Sequence, residues 1–340
     1  MKAVQFSEHG SPDVLCWVDI PDPVIDQDSV LIRIEAAALN HLDLWVRRGI
    51  PGVPRPMIPG SDGAGHVAAV GDAVTHLQVG DRVVIQPLLS CGTCPACKRG
   101  EENLCPDFGI VGETAPGTNC ELMAIPAQYV YPIPDSMDFN TAAAFPLVGE
   151  TAWTMLINRA RIQDQEWVFI WGASSGIGHM AIQIAKHFGC KVITTAGDVA
   201  KMEKAENLGA DFVLNYKKDD IRKTVRGITN GRGVDVVFEH VGRKTWETST
   251  RILAFGGRIV TCGATTGPKV EIDLRHLFMK QQSLLGSTMG SVASFKAVFD
   301  LVKKGIIQPF IDRTFPMVDV RSAHHYMESG KQFGKVLLIP

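Results

Sequence analysis

The sequence predicts a two-domain protein of the α/β class, in which a β-rich domain precedes a doubly wound parallel sheet. The chain has 340 residues, a length that suggests two domains or one large one. Short β-prone runs broken by glycine and proline fill the chain up to about Pro134. From about Asn140 onward, helical and β-prone segments alternate regularly, as they do in parallel α/β sheets.

The first domain, expected over residues 1–135, has the pattern of a barrel-like β fold. Pro51-Gly52 and Pro59-Gly60 mark turns between its strands. The β-prone runs are residues 30–34, 65–70 and 82–85.

The second domain, expected over residues 136–288, alternates strands with helices of the length that connects parallel strands. Its strands are expected at residues 167–171, 191–195, 212–215, 234–239 and 258–262. Its helices are expected at residues 176–188, 201–208, from 219 onward and at 245–253. The last segment, 289–340, holds a predicted helix and further β-prone runs, and we expect it to return to the first domain.

The composition argues against several classes of partner. Hydrophobic residues make up 45% of the chain and charged residues 21%, which is enough for a large core and excludes disorder of the whole chain. Lysine and arginine total 34 against 36 acids, so no nucleic acid or anionic membrane is expected as a partner. No apolar run approaches the roughly 18 residues of a membrane span, and the start lacks a secretory signal. We therefore expect a cytoplasmic location.

Four of the eight cysteines lie close together in the sequence, with the spacing C-x2-C-x2-C-x7-C. In a cytoplasmic chain such a cluster is more often a metal site than a set of disulfides. Four thiolates can enclose one Zn²⁺ with no open position, which is typical of a structural site; an iron–sulfur cluster is the alternative, although its known spacings differ. The predicted ligands of one structural zinc per subunit are Cys91, Cys94, Cys97 and Cys105.

A turn rich in small residues joins the first predicted strand of the parallel sheet to its helix. It departs from the pattern G-x-G-x-x-G, because Ala173 and Ser175 stand at the first two glycine positions and Gly178 at the third. Small residues there let the backbone approach a pyrophosphate, and the helix N-terminus provides free N–H groups. The position of the turn between strand and helix therefore predicts a dinucleotide site. Its expected contacts are Ser174, Ser175, Gly176, Ile177 and Gly178.

The end of the second strand of this sheet bears on the choice between NADP and NAD. NAD sites place an acid there to bind the ribose hydroxyls, whereas this chain has Ala196 followed by Gly197. Lys201 and Tyr216 could reach a 2′-phosphate, while Asp198 would repel a phosphate and could serve NAD. We favour NADP as the cofactor, and NAD stays possible.

Several motifs together resemble the medium-chain dehydrogenase/reductase superfamily, which contains the zinc alcohol dehydrogenases and the quinone oxidoreductases. The resemblance covers essentially the whole chain. It implies a GroES-like catalytic domain, a Rossmann domain and an NAD(P)-dependent oxidoreductase. The matching motifs are residues 37–43 (Ala-Ala-Leu-Asn-His-Leu-Asp), 60–65 (Gly-Ser-Asp-Gly-Ala-Gly), 79–83 (Val-Gly-Asp-Arg-Val) and 334–336 (Gly-Lys-Val).

The chain departs from the zinc alcohol dehydrogenases at the positions that hold their catalytic zinc. The resemblance puts Asn40, Ser61 and Leu147 at the three ligand positions. Asp62 replaces the glutamate after the second ligand, and Leu42 replaces the hydroxyl residue that relays the proton. We therefore predict no catalytic zinc of the usual kind. Asn40 matches the metal-free quinone oxidoreductase branch.

These departures favour hydride transfer to a small carbonyl-activated substrate such as an enone or a quinone. The charge then spreads into an enolate, which the Asn40 amide or backbone N–H groups could stabilise. Two alternatives stay open. One is an alcohol dehydrogenase with an atypical metal site built from His41, Asp43, Asp62 or His66. The other is a dinucleotide-binding protein without catalysis.

The resemblance also implies roles for further residues. His41 and Trp45 match positions that contact the cofactor, and Asp43 is expected to orient a base such as Lys335. Glu150 could face the nicotinamide or form a buried ion pair. We assign the catalytic group to Asn40, His41, Asp43 and Glu150. The further cofactor neighbours are Trp45, Thr151, Ala196, Gly197, Asp198, Lys201, Tyr216, His240, Gly263, Ser287, Met289 and Lys335.

Members of this superfamily often form homo-oligomers through an edge strand of the dinucleotide domain. In this chain that strand would contain residues 284–288, which are apolar and β-prone. The resemblance therefore implies a homodimer or a homotetramer, with a small molecule as the other partner.

Overall fold

The computed structural model describes residues 1–340. It divides into two compact units, of which unit 1 comprises Met1–Val148 and Gly290–Pro340 and unit 2 comprises Gly149–Met289. No helix combines the length and the apolar character that crossing a membrane requires.

The first part of unit 1 is rich in strands. They are β1 (Lys2–Gln5), β2 (Cys16–Asp19), β3 (Ser29–Leu39), β4 (Asp62–Val70), β5 (Arg82–Ile85), β6 (Leu88–Leu89), β7 (Gly109–Ile110), β8 (Leu122–Pro126) and β9 (Val130–Pro132). The helices are α1 (His41–Arg48), α2 (Pro95–Lys98) and α3 (Phe139–Ala144), with 3₁₀ turns at Pro12–Val14, Glu102–Leu104 and Ala127–Tyr129.

Unit 2 alternates helices and strands as predicted. Helix α4 (Pro146–Trp153) contains the boundary between the two units in the sequence. A π-helical segment follows at Thr154–Arg159. The elements then run β10 (Trp167–Ile170), α5 (Gly176–His187), β11 (Lys191–Ala196), α6 (Val199–Asn207), β12 (Phe212–Asn215), α7 (Ile221–Ile228), β13 (Val234–Glu239), α8 (Trp246–Ile252), β14 (Leu253–Thr261), α9 (Leu274–Met279) and β15 (Ser283–Gly286).

The chain returns to unit 1 after Met289. This part contains α10 (Val292–Lys303), β16 (Ile311–Pro316), a 3₁₀ turn at Met317–Asp319, α11 (Val320–Glu328) and β17 (Lys335–Ile339). Strand β17 pairs with β3 in the antiparallel sense, which inserts it into the sheet of unit 1.

The seven-stranded sheet of unit 1 brings distant parts of the sequence to one place. Its strand order is β16-β17-β3-β4-β5-β9, and β8 also pairs with β3. Ala38 lies opposite Asp62, and Leu39 lies opposite Val336. This register places the end of β3 beside the first residues of β4 and β17, where the candidate active site lies.

Unit 2 has a six-stranded parallel sheet with the order β12-β11-β10-β13-β14-β15. This order is the doubly wound arrangement of dinucleotide-binding domains, so the predicted fold class is confirmed. Every residue of β13 is buried, as expected for a central strand covered on both faces.

The domain boundary lies later than we expect from the sequence. We place it at residue 135, whereas the compact unit continues to Val148. The reason is α3, which packs against β3, β4, β5 and β17 with its three alanines buried. The change to a helical pattern near residue 140 therefore precedes the change of domain.

Candidate active site, dinucleotide turn and metal centre

The four clustered cysteines converge in space. Their sulfur atoms all lie within 4.8 Å of one another, with Sγ–Sγ distances of 3.5 Å for Cys94–Cys97 and for Cys91–Cys105, and 4.0 Å for Cys91–Cys97. Zn–S bonds of about 2.3 Å in a tetrahedron place sulfur atoms about 3.8 Å apart, so the four side chains fit one zinc. All four positions of a tetrahedral ion are then filled, which is the arrangement of a structural site.

The local backbone favours the thiolate form of Cys91. Cys94 precedes α2, and its sulfur accepts the N–H of Cys97 at 3.5 Å, while Cys91 accepts the N–H of Cys94 at 3.3 Å. Hydrogen bonds from the backbone of Thr93 and Cys94 lower the pKa of Cys91 to about 6. A metal ligand must be deprotonated, and these bonds favour that form at Cys91. The pKa of Cys105 is instead raised to about 11, because the lowering effect of the Cys91 backbone N–H is outweighed by desolvation and by side-chain hydrogen bonds with Cys91 and Cys97.

The dinucleotide turn is held in one conformation by Ser175. Its hydroxyl donates to the carbonyl oxygen of Gly172 at 2.9 Å and accepts the N–H of Gly178 at 2.8 Å, which caps α5. Gly172 has a positive φ of 65°. A Cβ on Gly178 would lie 2.2 Å from the Gly172 carbonyl oxygen, so only glycine fits there without a shift. The start of α5 therefore lies against the backbone of the preceding loop, which a side chain at residue 178 would prevent.

The residues after β11 show what Asp198 does. Its carboxylate accepts the N–H of Lys201 at 3.0 Å and caps α6. A Cβ on Gly197 would lie 2.6 Å from the Tyr216 hydroxyl and 3.3 Å from Cε of Lys217. Tyr216 and Lys217 thus lie beside Gly197, at the place where the sequence lacks an acid. Lys217 is not among the cofactor neighbours that we predict from the sequence, although its position next to Tyr216 is a signal that could have identified it.

His240 lies against the same turn. Its Nε2 atom is 2.8 Å from the Trp171 carbonyl oxygen and 3.4 Å from the Ser175 hydroxyl. Because a carbonyl oxygen only accepts, Nε2 carries the hydrogen. Burial lowers the pKa of His240, which keeps the ring neutral at pH 7.

Glu239, at the end of β13, is a residue that our sequence-based assignment does not include. Its buried carboxylate accepts hydrogen bonds from the Thr245 and Ser249 hydroxyls and from the N–H groups of Val241 and Gly242. Ser249 in turn accepts the indole N–H of Trp171 at 2.8 Å. This network fixes the loop after β13, and an acid ending an otherwise apolar strand is the signal for it.

Unit 1 contains a buried cluster around Asp62, at the edge where β3, β4 and β17 begin or end. Asp62 Oδ2 accepts a hydrogen bond from Asn40 Nδ2 at 2.9 Å and forms an ion pair with Lys335 Nζ at 3.0 Å. Asp62 Oδ1 accepts the N–H of Leu147 at 2.9 Å. Ser61 is the neighbour of Asp62 in the chain. The cluster therefore joins the three positions at which the resemblance puts zinc ligands.

The amide of Asn40 has one possible orientation. Lys335 can only donate, and its Nζ lies 2.5 Å from Asn40 Oδ1, while Nδ2 donates to Asp62 and, at 3.4 Å, to the Ala38 carbonyl oxygen. Both amide hydrogens are thus engaged within the protein. In this arrangement Asn40 positions Lys335 and Asp62, and its predicted role of donating to a substrate enolate stays a prediction.

Asp43 has different partners from those we predict. Its carboxylate accepts the N–H of Asn40 at 2.6 Å and the N–H of Gly60 at 3.0 Å, which caps α1. Lys335 bonds to Asp62 and Asn40, so Asp43 does not orient it by a hydrogen bond. Burial raises the pKa of Asp43 to about 6, against the lowering effect of the Asn40 N–H and of the Lys335 charge.

Comparison with known proteins decides the family. Residues 26–135 match the alcohol dehydrogenase GroES-like domain, and residues 176–304 match the zinc-binding dehydrogenase family. An alcohol dehydrogenase of Geobacillus stearothermophilus is 32% identical, over 99% of both chains. The chain belongs to the medium-chain dehydrogenase/reductase superfamily.

Other members of the superfamily that resemble this chain carry different activities in their names. A quinone oxidoreductase of Salmonella typhimurium is 29% identical over 99% of both chains. A crotonyl-CoA carboxylase/reductase of Cereibacter sphaeroides is 30% identical, over 96% of this chain and 83% of its own. The crystal structure of an NAD-dependent alcohol dehydrogenase is 41% identical with a TM-score of 0.97 and covers all of both chains. This member of the superfamily is thus an NAD(P)-dependent oxidoreductase, and the relatives leave its substrate open.

The atypical metal site that we keep open does not assemble. Four cysteines form the one group of three or more His, Cys, Asp or Glu side chains whose ligand atoms come together. His66 Nδ1 lies 3.3 Å from Glu35 Oε1, on the part of β4 that is away from Asp62, and its ring packs on Phe139. His41 packs edge-on against Trp45, with ring centres 5.1 Å apart.

The remaining predicted residues of unit 2 are mostly buried. Glu150 is fully buried in α4, and the neighbouring Thr151 has a buried hydroxyl without a partner in the chain. The Ser287 hydroxyl is also buried without a partner. Orphaned hydroxyls of this kind fit a bound group that supplies the missing hydrogen bonds. Gly263 accepts the Thr261 hydroxyl at its carbonyl oxygen, and Met289 has a positive φ of 44° at the end of the unit.

Proposed function

We propose that this oxidoreductase reduces a carbonyl-activated alkene or a quinone with NADPH and uses no catalytic zinc. The observation that supports this most is the Asn40–Asp62–Lys335 cluster, because Asn40 is one of the three positions at which the resemblance puts zinc ligands and Asp62 contacts the backbone of another, Leu147. A buried ammonium group stands there among an amide and a carboxylate, and the donor set contains neither cysteine nor histidine.

The chemistry of the donors explains the preference. Zinc in dehydrogenases is bound by thiolate and imidazole, whereas the amide of Asn40 and the hydroxyl of Ser61 are weak ligands. The Asp62 carboxylate is already shared by three donors. When bound, the reduced dinucleotide supplies a hydride, and the protein must stabilise the negative charge that develops on the substrate oxygen.

The second candidate is reduction of a simple ketone or aldehyde, or oxidation of the alcohol. It is favoured by the names of relatives such as the Geobacillus alcohol dehydrogenase and the 41% identical NAD-dependent alcohol dehydrogenase. Hydride addition to a carbonyl carbon produces an alkoxide, which concentrates charge on one oxygen more than an enolate does. A metal ion is the usual means of stabilising it.

The test measures oxidation of NADPH by the purified enzyme with 2-cyclohexenone and 1,4-benzoquinone, beside cyclohexanone, and reduction of NADP⁺ with cyclohexanol. Zinc is counted on the same sample. Turnover of the enone or the quinone with about one zinc per subunit supports the proposal. Turnover of the alcohol pair alone, lost when a second zinc is removed, would establish the second candidate.

For the cofactor, the residues beside Gly197 favour NADP. Asp198 is engaged as a helix cap, and the Tyr216 and Lys217 side chains lie beside Gly197. We expect Lys217→Ala to raise the KM for NADPH at least about tenfold, the effect of one good phosphate contact, and to leave the KM for NADH unchanged. Lys218→Ala, a neighbouring exposed lysine, is the matched control. An equal effect on both cofactors would argue against a 2′-phosphate site here.

We also propose that the chain forms a homodimer or a homotetramer through β15, the outermost strand of the parallel sheet. Leu274, Phe278 and Met279 lie close before this strand and are 64%, 65% and 69% exposed. Light scattering of the purified protein gives the mass directly, and a monomer at micromolar concentration would refute the assembly. The cytoplasmic location stays a prediction.

A further inference from the structure

Lys335 is held in place from both its backbone and its side chain. Its N–H donates to the Phe310 carbonyl oxygen at 2.8 Å, and the preceding Gly334 has a φ of 85° and no room for a Cβ beside that same oxygen. The side chain is 1% exposed and ends between Asn40 and Asp62. The position of the ammonium group is therefore fixed by the fold rather than by solvent.

One hydrogen of this ammonium group has no acceptor in the protein. Nζ donates to Asn40 Oδ1 and to Asp62 Oδ2, which uses two of its three hydrogens. Ser61, next to Asp62 in the chain, also has a buried hydroxyl without a partner. Unpaired donors at a buried site need an explanation, because each one is costly in the absence of a bound acceptor.

The charges of Lys335 and Asp62 balance each other before any ligand binds, and the nearby Asp43 lies close enough to feel both charges. The Lys335 ammonium is paired with Asp62 at 3.0 Å, and both side chains are essentially inaccessible to water. A neutral ligand whose oxygen gains negative charge during reaction therefore suits the third hydrogen. In a water-excluded site a fixed donor of this kind is worth far more than in solution.

Resting on the function proposed above, we infer that Lys335 is a catalytic residue that binds the carbonyl oxygen of the substrate. The hydride adds to the β-carbon of the enone, the electron pair of the C=C bond moves toward the carbonyl, and the oxygen becomes an enolate oxygen. Lys335 donates a hydrogen bond to that oxygen and keeps its proton. A proton from water then adds to the α-carbon, so that one hydride and one proton give the saturated ketone.

The first test is spectroscopic and needs no turnover. 2-Cyclohexenone labelled with ¹³C at the carbonyl is bound to the enzyme with NADP⁺, which cannot deliver a hydride. We expect the carbonyl resonance to move downfield from that of the free ketone, because an ammonium donor polarises the C=O bond. The movement should disappear in Lys335→Met and persist in Lys331→Met, an exposed lysine in the same unit.

A variant with balanced charge separates catalysis from structure. Lys335→Met alone leaves the Asp62 carboxylate unpaired and can fail to fold. The double variant Lys335→Met with Asp62→Asn removes both charges. We expect it to fold and to lose about 10²- to 10³-fold in kcat, the effect of one oxyanion donor. Recovery of wild-type kcat in the double variant would show that Lys335 only balances Asp62.

The outcomes distinguish this inference from the proposed function. A downfield movement in the wild-type enzyme that turns over no enone would leave the lysine contact in place and refute the proposed reaction. Two results would overturn the role of Lys335. One is enone turnover with no downfield shift of the carbonyl resonance at saturating ketone, and the other is a downfield shift that persists in the double variant.

Discussion

Replacing Asp62 by asparagine tests whether water is excluded from the ion pair between Asp62 and Lys335, as the structure shows. The two charged atoms are 3.0 Å apart, and the side chains are 1% and 0% exposed. The asparagine side chain would keep the size of the aspartate but leave the buried ammonium group without the carboxylate that it contacts directly. Removing one partner of a buried pair typically costs about 3 to 5 kcal/mol, so we expect a loss of this size in the free energy of unfolding.

The chain offers a matched control in the same unit. Lys2 and Asp19 form an ion pair at 3.1 Å, almost the same distance, but their side chains are 45% and 80% exposed. Exposed pairs contribute less than about 1 kcal/mol because water and salt screen them. Asp19→Asn should therefore change the stability far less than Asp62→Asn.

The assay is urea unfolding at pH 7, together with native-state hydrogen exchange of the β3 amides, which reports on unit 1 alone. Adding Lys335→Met to Asp62→Asn should restore most of the lost stability, since no charge is then left unpaired. Equal losses for Asp62→Asn and Asp19→Asn would refute the reasoning, because they would mean that water reaches the Asp62 cluster.

Three further predictions concern the metal, the dinucleotide turn and pH. Cys94→Ser should lose the bound zinc in elemental analysis, while Cys16→Ser, which lies outside the cluster, should keep it. Gly178→Ala should weaken dinucleotide binding at least about tenfold by calorimetry, because its Cβ meets a carbonyl oxygen at 2.2 Å; Gly227→Ala, where nothing lies within 4 Å, should not. The raised pKa of Asp43, about 6 against 3.8, means that its contribution is fully present below pH 3.8 and is lost as the pH rises through 6. Relative to Asp43→Asn, the wild-type protein should thus lose up to about 3 kcal/mol between pH 4 and 7, and a pH-independent difference would contradict this origin.

The parts of the molecule that follow from local pattern could be predicted from the sequence. The alternation of strands and helices predicted the parallel sheet, because two parallel strands must be joined by a crossover about as long as a helix. The cysteine spacing gave the metal centre, since the turn and the short helix α2 bring neighbouring residues together. The small residues of the 171–178 turn likewise gave its tight geometry.

The contacts of the candidate active site depend on the register between strands that are distant in the sequence, and they could not be predicted. Two buried carboxylates, Asp43 and Asp62, compete as partners of Lys335, and nothing in the sequence separates them. The structure does so because Asp43 is engaged by the N–H groups of Asn40 and Gly60 at the start of α1. The engagement of both Asn40 amide hydrogens follows from the same register and is equally invisible in the sequence.

The Lys335 charge disfavours a metal ion beside Asn40 and so bears directly on the choice between the two candidate functions. A divalent ion bound to Asn40 Oδ1 at about 2.1 Å would lie at most about 4.6 Å from Nζ, which is 2.5 Å from that oxygen. At an effective dielectric constant of about 20, repulsion between a double and a single charge at this distance is about 7 kcal/mol. This repulsion opposes a metal ion while Lys335 stays charged and in place, and movement of Lys335 or loss of its proton would leave Asp62 free to become a ligand. The zinc count and the Lys335 variants thus probe one choice, between an ammonium ion and a metal ion beside Asn40.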